Sequence, residues 1–221
     1  MIPLSIHASY LINLASRERD LQKKSIALLA VEMDRADVLG AEYVVLHPGS
    51  ASGDDESSVI KRVIDALKVV ALAGHWRAGL LLENTAGERG DISSEMANLS
   101  EIINRVKRFL IAGICIDTCH ALAAGYDIGN EEGIYRLSRE IEKYFGISKV
   151  KLIHLNDSKG GLGSGIDRHE HIGLGKIGIQ GFRLFLNYSF FKDIPLILET
   201  PKKNETDDYQ NLRKVRNIIE A

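Results

Sequence analysis

Six apolar runs in this chain each stop at a histidine, an aspartate or a glutamate. The six residues at which the runs stop are His7, His47, Glu83, Asp117, His154 and Glu199. They follow one another at intervals of 40, 36, 34, 37 and 45 residues, about the length of one strand, one helix and their loops in a βαβ unit. Short apolar runs bounded by Gly or Pro are typical of strands buried on both faces, as parallel sheets require. The spacing therefore predicts an α/β protein whose parallel strands end at one common rim.

The segments between these runs change to a helical period, with apolar residues three and four positions apart among charges. The predicted helices span residues 17–39, 54–74, 94–109, 131–145, 179–185 and 207–219. Six strands, each followed by a helix, predict a parallel (β/α) barrel of the TIM type, which is complete only with eight such units. We therefore expect an incomplete barrel with six of the eight units, in a single, N-terminally short domain over residues 1–221.

Composition excludes several classes of protein. With 221 residues, of which 45% are hydrophobic, the chain is long enough for one substantial core and short for two domains. A net charge of -2 gives no bulk attraction to nucleic acid, so any phosphate affinity has to come from a local patch or from bound cations. Two cysteines, Cys115 and Cys119, are too few for a disulfide framework and are expected to be reduced, packed thiols. No apolar run approaches a membrane span, so we expect a cytoplasmic protein without membrane contact.

Imidazole and carboxylate side chains gather at the predicted strand ends or in the loops just after them. Histidine nitrogens mixed with carboxylate oxygens suit zinc, manganese or iron, whereas calcium and magnesium prefer oxygen ligands. The candidate ligands are His7, His47, Glu83, Asp117, His120, His154, Asp167, His169 and Glu199. Nine ligands are too many for one ion and predict two or three, with a carboxylate shared between neighbours. We expect zinc, with manganese or iron as alternatives at one site, and His171 as an alternative ligand to His169.

Seven local strings add a family resemblance. They are HASYLINL from His7, LHPGS around His47, ENTAG from Glu83, IDTCHALAAGYD from Asp117, HLNDSKG from His154, DRHEHIGLG from Asp167 and LILETP containing Glu199. In order and spacing these strings resemble the endonuclease IV family of apurinic/apyrimidinic (AP) endonucleases, from the first predicted strand to the last. The resemblance implies a TIM-type barrel with three zinc ions that acts on abasic sites in duplex DNA during base excision repair.

By motif position, the resemblance implies one ligand set for each of the three zinc ions. The sets are His7, His47 and Glu83; Glu83 as a bridge together with Asp117, His154 and Glu199; and His120, Asp167 and His169. A hydroxide bridging the first two ions would attack phosphorus. Glu83 would bridge the same two ions and is therefore the expected catalytic carboxylate. The third ion would stabilise the departing oxygen. The expected products are a 3′-hydroxyl and a 5′-deoxyribose phosphate.

Three further residues have more than one interpretation. Tyr10 and Asn13 fall in the HASYLIN stretch that contacts DNA near the lesion in the family. A half-buried loop tyrosine is the alternative interpretation for Tyr10. Arg168 would either pair with a phosphate or brace Asp167.

The beginning of the chain departs from the family pattern. Relatives carry two further βα units before the segment that begins here at Met1, and those units supply part of the DNA-binding surface. Six parallel strands would leave two open barrel edges, which predicts association with another chain. Two other functions therefore stay open: a xylose isomerase-like sugar isomerase or epimerase that uses one or two divalent metals, and an inactive DNA-binding remnant.

Overall fold

The chain contains both strands and helices in the computed structural model, which describes residues 4–106 and 110–220. The strands are β1 (Ser5–His7), β2 (Tyr43–Leu46), β3 (Gly79–Glu83), β4 (Ile111–Asp117), β5 (Val150–His154), β6 (Asp157–Ser158), β7 (His169–Glu170) and β8 (Leu196–Ile197). The helices are α1 (Arg19–Leu39), α2 (Glu56–Ala73), α3 (Met96–Arg105), α4 (Thr118–Ala124), α5 (Glu131–Tyr144), α6 (Gly178–Asn187) and α7 (Asp207–Ile219). All six predicted strands are present, which confirms the α/β class.

Residue contacts divide the described chain into two units. The first unit contains the residues up to Asn84 and those from Arg89 to Cys115, and the second contains Thr85–Glu88 and the residues from Ile116 onward. The prediction of a single domain over residues 1–221 stays a prediction. No helix among residues 4–106 and 110–220 is both long enough and apolar enough to cross a membrane.

Four parallel strands form the sheet of the first unit. Their order is β1, β2, β3, β4, with Ser5 beside Tyr43, Tyr43 beside Gly79 and Leu80 beside Ile111. The three leucines of β3 are fully buried, because a parallel strand covered on both faces has no solvent side. Since β1, β2 and β3 run the same way, the residues that end these three strands lie at the same edge of the sheet.

Two helices of the first unit begin and end where the local chemistry predicts. Gly40 follows α1 with a left-handed φ of 70°, and its N–H bonds back to the carbonyls of Ala36 and Asp37, as expected for a glycine just past a helix. Asp55 caps α2 by accepting the N–H of Ser58 at 3.0 Å. Hydrogen bonds from Ser57 and Ser58 lower the pKa of Asp55 to about 2.

The second unit contains a parallel strand pair and a short antiparallel ribbon. Ile153 of β5 lies beside Leu196 of β8, and Ser158 of β6 lies opposite His169 of β7. The ribbon and α4 were absent from the sequence prediction. His120, expected in a loop, lies instead in the first turn of α4.

The other predicted helices differ from the structure mainly at their ends. The segment predicted over residues 94–109 contains α3, and residues 107–109 lie outside the described residues. The predicted bounds of α7 match the observed ones, and α6 extends one residue earlier and two later than predicted.

A tight turn before α5 leaves no room for a side chain at Gly133. Asn130 caps this helix by accepting the N–H of Gly133 at 2.9 Å. A Cβ atom at Gly133 would collide with the backbone carbonyl of Asp127. We expect Gly133→Ala to lower the free energy of unfolding by about 2 kcal/mol, because backbone has to move.

The measurement is urea denaturation followed by circular dichroism. The matched control is Gly161→Ala, since a Cβ atom there meets nothing within 4 Å, and its effect should stay within about 0.5 kcal/mol. Equal stability of the two variants would contradict the expectation.

Candidate metal centre

Three side chains of the first unit converge at the carboxyl ends of its strands, and we call them the Glu83 cluster. His7 ends β1, His47 directly follows β2 and Glu83 ends β3. The Nε2 atoms of His7 and His47 each lie 3.1 Å from Oε2 of Glu83. The two imidazole rings meet edge to face, with centroids 5.2 Å apart. Parallel strand order therefore brings together two ring nitrogens and one carboxylate oxygen.

Hydrogen bonding on the far side of the His7 ring fixes which nitrogen faces the cluster. Nδ1 of His7 lies 2.8 Å from the backbone carbonyl of Ala8. A carbonyl only accepts, so Nδ1 donates its N–H there and Nε2 is the nitrogen turned towards Glu83. Zinc ligands at about 2.0–2.1 Å from a tetrahedral ion lie roughly 3.3 Å from one another. The Glu83 cluster therefore fits a divalent ion in both chemistry and spacing.

Six side chains of the second unit form another cluster, which we call the Asp117 cluster. Its members are Asp117, His120, His154, Asp167, His169 and Glu199. Nδ1 of His154 lies 3.1 Å from Oε2 of Glu199, and Nε2 of His120 lies 3.1 Å from Oδ1 of Asp167. Asp117 ends β4 and accepts the N–H of His120 at 2.8 Å, so the same carboxylate caps α4 and positions the His120 ring.

Two groups of potential ligands can be distinguished within the Asp117 cluster. In one group, His120, Asp167 and His169 each offer an atom, and these atoms lie within 4.8 Å of one another. The same spacing holds for Asp117, His154 and Glu199 in the other group. The second unit thus brings together two sets that each mix imidazole nitrogen with carboxylate oxygen, as borderline metals such as zinc prefer.

His169 supplies the clearest sign that a cation belongs in the Asp117 cluster. Its Nδ1 lies 3.0 Å from the backbone carbonyl of Glu199, which places a proton on Nδ1 and turns Nε2 towards the cluster. That Nε2 is buried and has no hydrogen-bond partner among the described residues. It faces Oδ1 of Asp167 at 3.6 Å and Oδ2 of Asp117 at 3.7 Å. A buried ring nitrogen without a hydrogen-bond partner beside two carboxylates is unfavourable, and a cation bound between them would satisfy all three groups.

Comparison with known proteins assigns the chain to a family. A family described as "Xylose isomerase-like TIM barrel" matches residues 1–218. Probable endonuclease 4 of Aquifex aeolicus is 43% identical over 219 residues, covering 99% of this chain and 77% of that protein. Probable endonuclease 4 of Methanoculleus marisnigri is also 43% identical, covering 99% and 78%. The crystal structure of endonuclease IV from Thermus thermophilus superposes with a TM-score of 0.82 at 38% identity, covering 99% and 76%. The chain belongs to the endonuclease IV family.

Membership of the endonuclease IV family also confirms the fold prediction. The family match and the superposition on the Thermus structure confirm a TIM-type α/β fold with six βα units. A D-tagatose 3-epimerase-like protein superposes with a TM-score of 0.78 at 22% identity. At that identity the likeness shows a shared fold alone, so it does not favour the isomerase alternative.

All nine ligands predicted for this endonuclease IV family member are found in the two clusters. Three lie in the Glu83 cluster and six in the Asp117 cluster. The alternative ligand His171 makes a different contact. Its Nδ1 lies 3.0 Å from the side-chain nitrogen of Asn211. The assignment of these residues to individual ions stays a prediction.

The two cysteines of the family motif are packed thiols, as predicted. Neither Cys115 nor Cys119 is in a disulfide, and both are buried. Sγ of Cys119 lies 3.7 Å from the backbone carbonyl of Arg168, to which it donates. Burial, together with the nearby Asp117 carboxylate, raises the pKa of the Cys119 thiol to about 11. The side chain of Arg168 lies 3.2 Å from the carbonyl oxygen of Asp167 and so braces the backbone there.

Asp157 was not identified from the sequence. Its side chain holds the loop after β7 in place. Its carboxylate is fully buried. Oδ1 accepts the N–H groups of Ser158 and Ile177 at 2.8 and 3.0 Å, and Oδ2 accepts those of Gly173 and Gly175 at 2.9 Å each. The available signal was an aspartate in HLNDSKG followed by the glycine-rich stretch GLGKIG, whose exposed N–H groups can form an anion-binding nest.

We expect Asp157→Asn to destabilise the protein by about 3 kcal/mol or more. Whichever way the new amide turns, two backbone N–H donors face its NH₂ group and lose their buried acceptor. Thermal and urea denaturation would measure the loss. The control is Asp193→Asn, which makes the same change of charge at an exposed position. The interpretation of Asp157 as a loop anchor is wrong if both variants unfold like the unsubstituted protein.

Proposed function

We propose that this protein is a metal-dependent phosphodiesterase that cleaves duplex DNA on the 5′ side of abasic sites in base excision repair. The products would be a 3′-hydroxyl and a 5′-deoxyribose phosphate. The convergence of imidazole nitrogens and carboxylate oxygens in the Glu83 and Asp117 clusters carries this proposal. Its specific form is supported by relatives named endonuclease 4 at 43% identity.

The charge of the two clusters makes bound cations necessary for this activity. Four carboxylates and five neutral imidazoles carry a formal charge of about -4, which repels a phosphodiester anion. Three Zn²⁺ ions would change that charge to about +2. Bound zinc would also supply a water nucleophile activated at neutral pH and would neutralise charge on the phosphoryl and leaving oxygens. Manganese or iron at one site would supply the same chemistry.

The residues of each cluster have distinct tasks under this proposal. His7 and His47 would hold one ion with Glu83, as the family resemblance implies. The second ion would be held by Asp117, His154 and Glu199, and the third by His120, Asp167 and His169. The backbone bonds at Nδ1 of His7 and of His169 support these tasks, because they fix each ring with its other nitrogen towards the cluster.

An exposed apolar tip in the loop after β1 supports an interaction with DNA. Tyr10 is 94% exposed and Leu11 is 62% exposed, and both follow His7 by a few residues. Side chains of this kind stack on bases or insert beside a disrupted base pair. The loop is firmly held, because Glu32 of α1 accepts the N–H of Ser9 at 3.0 Å. We propose that Tyr10 and Leu11 contact the duplex at the lesion.

Asn13 has a different place in the same loop. Its side-chain NH₂ donates to the carbonyl of Ser50 at 3.0 Å, and its Oδ1 accepts the N–H of Ala15 at 3.0 Å. The amide thus ties the loop after β1 to the segment after β2. That Asn13 contacts DNA stays a prediction. We propose that Asn13 braces the loop whether or not it also contacts DNA.

Glu83→Gln tests the phosphodiesterase proposal directly. Purified protein with zinc is incubated with a duplex that contains one tetrahydrofuran abasic analogue, and the products are separated on a denaturing gel. We expect the unsubstituted protein to cleave 5′ to the analogue and Glu83→Gln to cleave at least about 100-fold more slowly. Even substitution of a residue that only supports a metal ligand lowers metal affinity or activity by about 10–100-fold. Glu42→Gln is the control, because this exposed residue makes the same change at the other end of β2.

Two outcomes would contradict the proposal. An intact strand at high protein concentration with zinc present would overturn the activity. Elemental analysis that finds one ion per chain would favour the sugar isomerase, whereas three ions favour the phosphodiesterase.

Tyr10→Ala tests the proposed contact with DNA. Because a stacked base is worth about 1–3 kcal/mol, we expect kcat/KM on the abasic duplex to fall about tenfold. The melting temperature should not change, since the side chain is exposed. Tyr209→Ala on α7, where the ring is 65% exposed, controls for loss of a surface tyrosine. Equal kcat/KM for Tyr10→Ala and the unsubstituted protein would remove Tyr10 from the interface.

A further inference from the structure

Asn156, two residues beyond the end of β5, lies between two carboxylates of the Asp117 cluster. The residue is fully buried. Its Nδ2 lies 2.6 Å from Oδ2 of Asp117 and 3.2 Å from Oε2 of Glu199. Its Oδ1 lies 2.7 Å from the backbone nitrogen of Glu199. One side-chain amide therefore contacts both carboxylates and the backbone of one of them.

These contacts fix which way the amide of Asn156 points. The backbone N–H of Glu199 can only donate, so the atom that faces it is the amide oxygen. The NH₂ group then points at the two carboxylates, and its two hydrogens match the two acceptor oxygens. A neutral donor of this kind joins two like charges without adding charge of its own.

The backbone of Asn156 is held as tightly as its side chain. Its N–H donates to Oγ1 of Thr118 at 2.8 Å, and the Thr118 hydroxyl donates to the carbonyl of Asn156 at 2.7 Å. Thr118 is the first residue of α4 and directly follows Asp117. The hydroxyl therefore fixes Asn156 to the chain segment that carries one of its two carboxylate partners.

Both oxygens of Asp117 are occupied by hydrogen bonds as a result. Oδ2 accepts from Asn156, and Oδ1 accepts the N–H of His120 at 2.8 Å. The carboxylate cannot rotate without losing a bond, and each oxygen keeps a second lone pair for a ligand. Glu199 is restrained similarly by the side chain and backbone bonds to Asn156.

We propose that Asn156 is a positioning residue that sets the Asp117 and Glu199 carboxylates in the orientation in which they bind one divalent ion together with His154. This inference rests on the proposed function and goes beyond the nine ligands. The residue would touch neither the ion nor the DNA, and it would act only through the two carboxylates. Metal affinity therefore measures its effect more directly than activity does.

The test compares size-matched substitutions at two buried asparagines. Asn156→Ala and Asn156→Leu both remove the two donors, and leucine keeps most of the volume. Asn211→Ala and Asn211→Leu are the controls, because Asn211 is also buried and its amide bonds no member of either cluster. Its partners are Ile172, Thr200, Asp207 and the ring of His171, which lies outside both clusters. Zinc affinity and stoichiometry are measured by competition with a chromophoric chelator. The melting temperature of each metal-free variant reports any structural loss.

We expect both Asn156 variants to bind one of the ions about 10–100-fold more weakly than the unsubstituted protein. The Asn211 variants should bind every ion with unchanged affinity, even where the melting temperature of the metal-free protein falls as far as it does in the Asn156 variants. With Co²⁺ as the probe metal, the visible absorption of one ion should change in the Asn156 variants only.

Failure of this inference and failure of the proposed function give different results. If the unsubstituted protein binds zinc and the Asn156 variants bind the same number of ions as tightly, the positioning role is overturned and the proposed function is not. If the Asn211 variants lose the same ion, the effect is a general loss of structure and the positioning role is likewise overturned. An unsubstituted protein that binds no zinc overturns the proposed function and this inference together.

Discussion

Burial of carboxylate oxygens beside imidazole nitrogens is the constraint on which the rest of the structure depends. In the first unit, the Nε2 atoms of His7 and His47 both lie 3.1 Å from one oxygen of Glu83, whose side chain is fully buried. Moving a carboxylate from water into a medium of low dielectric constant costs free energy. The apolar strands that end at these residues therefore hold a pre-formed site at a cost in stability, and a bound cation would offset that cost.

Hydrogen bonds behind the ligands keep this unfavourable arrangement in place. The Ala8 carbonyl orients the ring of His7, the Glu199 carbonyl orients His169, and the amide of Asn156 spans two carboxylates. The Asp157 carboxylate plays a similar part for the backbone, because four of its five N–H partners lie in the loop that follows β7 or at the start of α6. A ligand set with such support loses little conformational entropy when a metal or a substrate binds.

The sequence predicted the strands and the grouping of the candidate ligands, because both follow short-range patterns. Buried parallel strands are continuous apolar runs, and a ligand that ends such a run is visible beside it, as at Glu83 and Asp117. Helix α4 was missed because it begins directly after Asp117 without a Gly or Pro break and has only seven residues, too few for a clear helical period. Asn156 and Asp157 were missed because their partners lie 16 to 43 residues away, a separation that no local pattern records.

Net charge was the least informative sequence property, and the clusters explain why. The chain carries a formal charge of -2, yet the four ligand carboxylates alone contribute about -4. The remainder of the protein is therefore slightly basic, and the negative charge is concentrated where cations would bind. Three divalent ions would make the whole assembly positive, with the excess at the ends of the strands. Under the proposed function, the protein would gain its attraction for phosphate from metals that contribute nothing to a charge counted from amino acids.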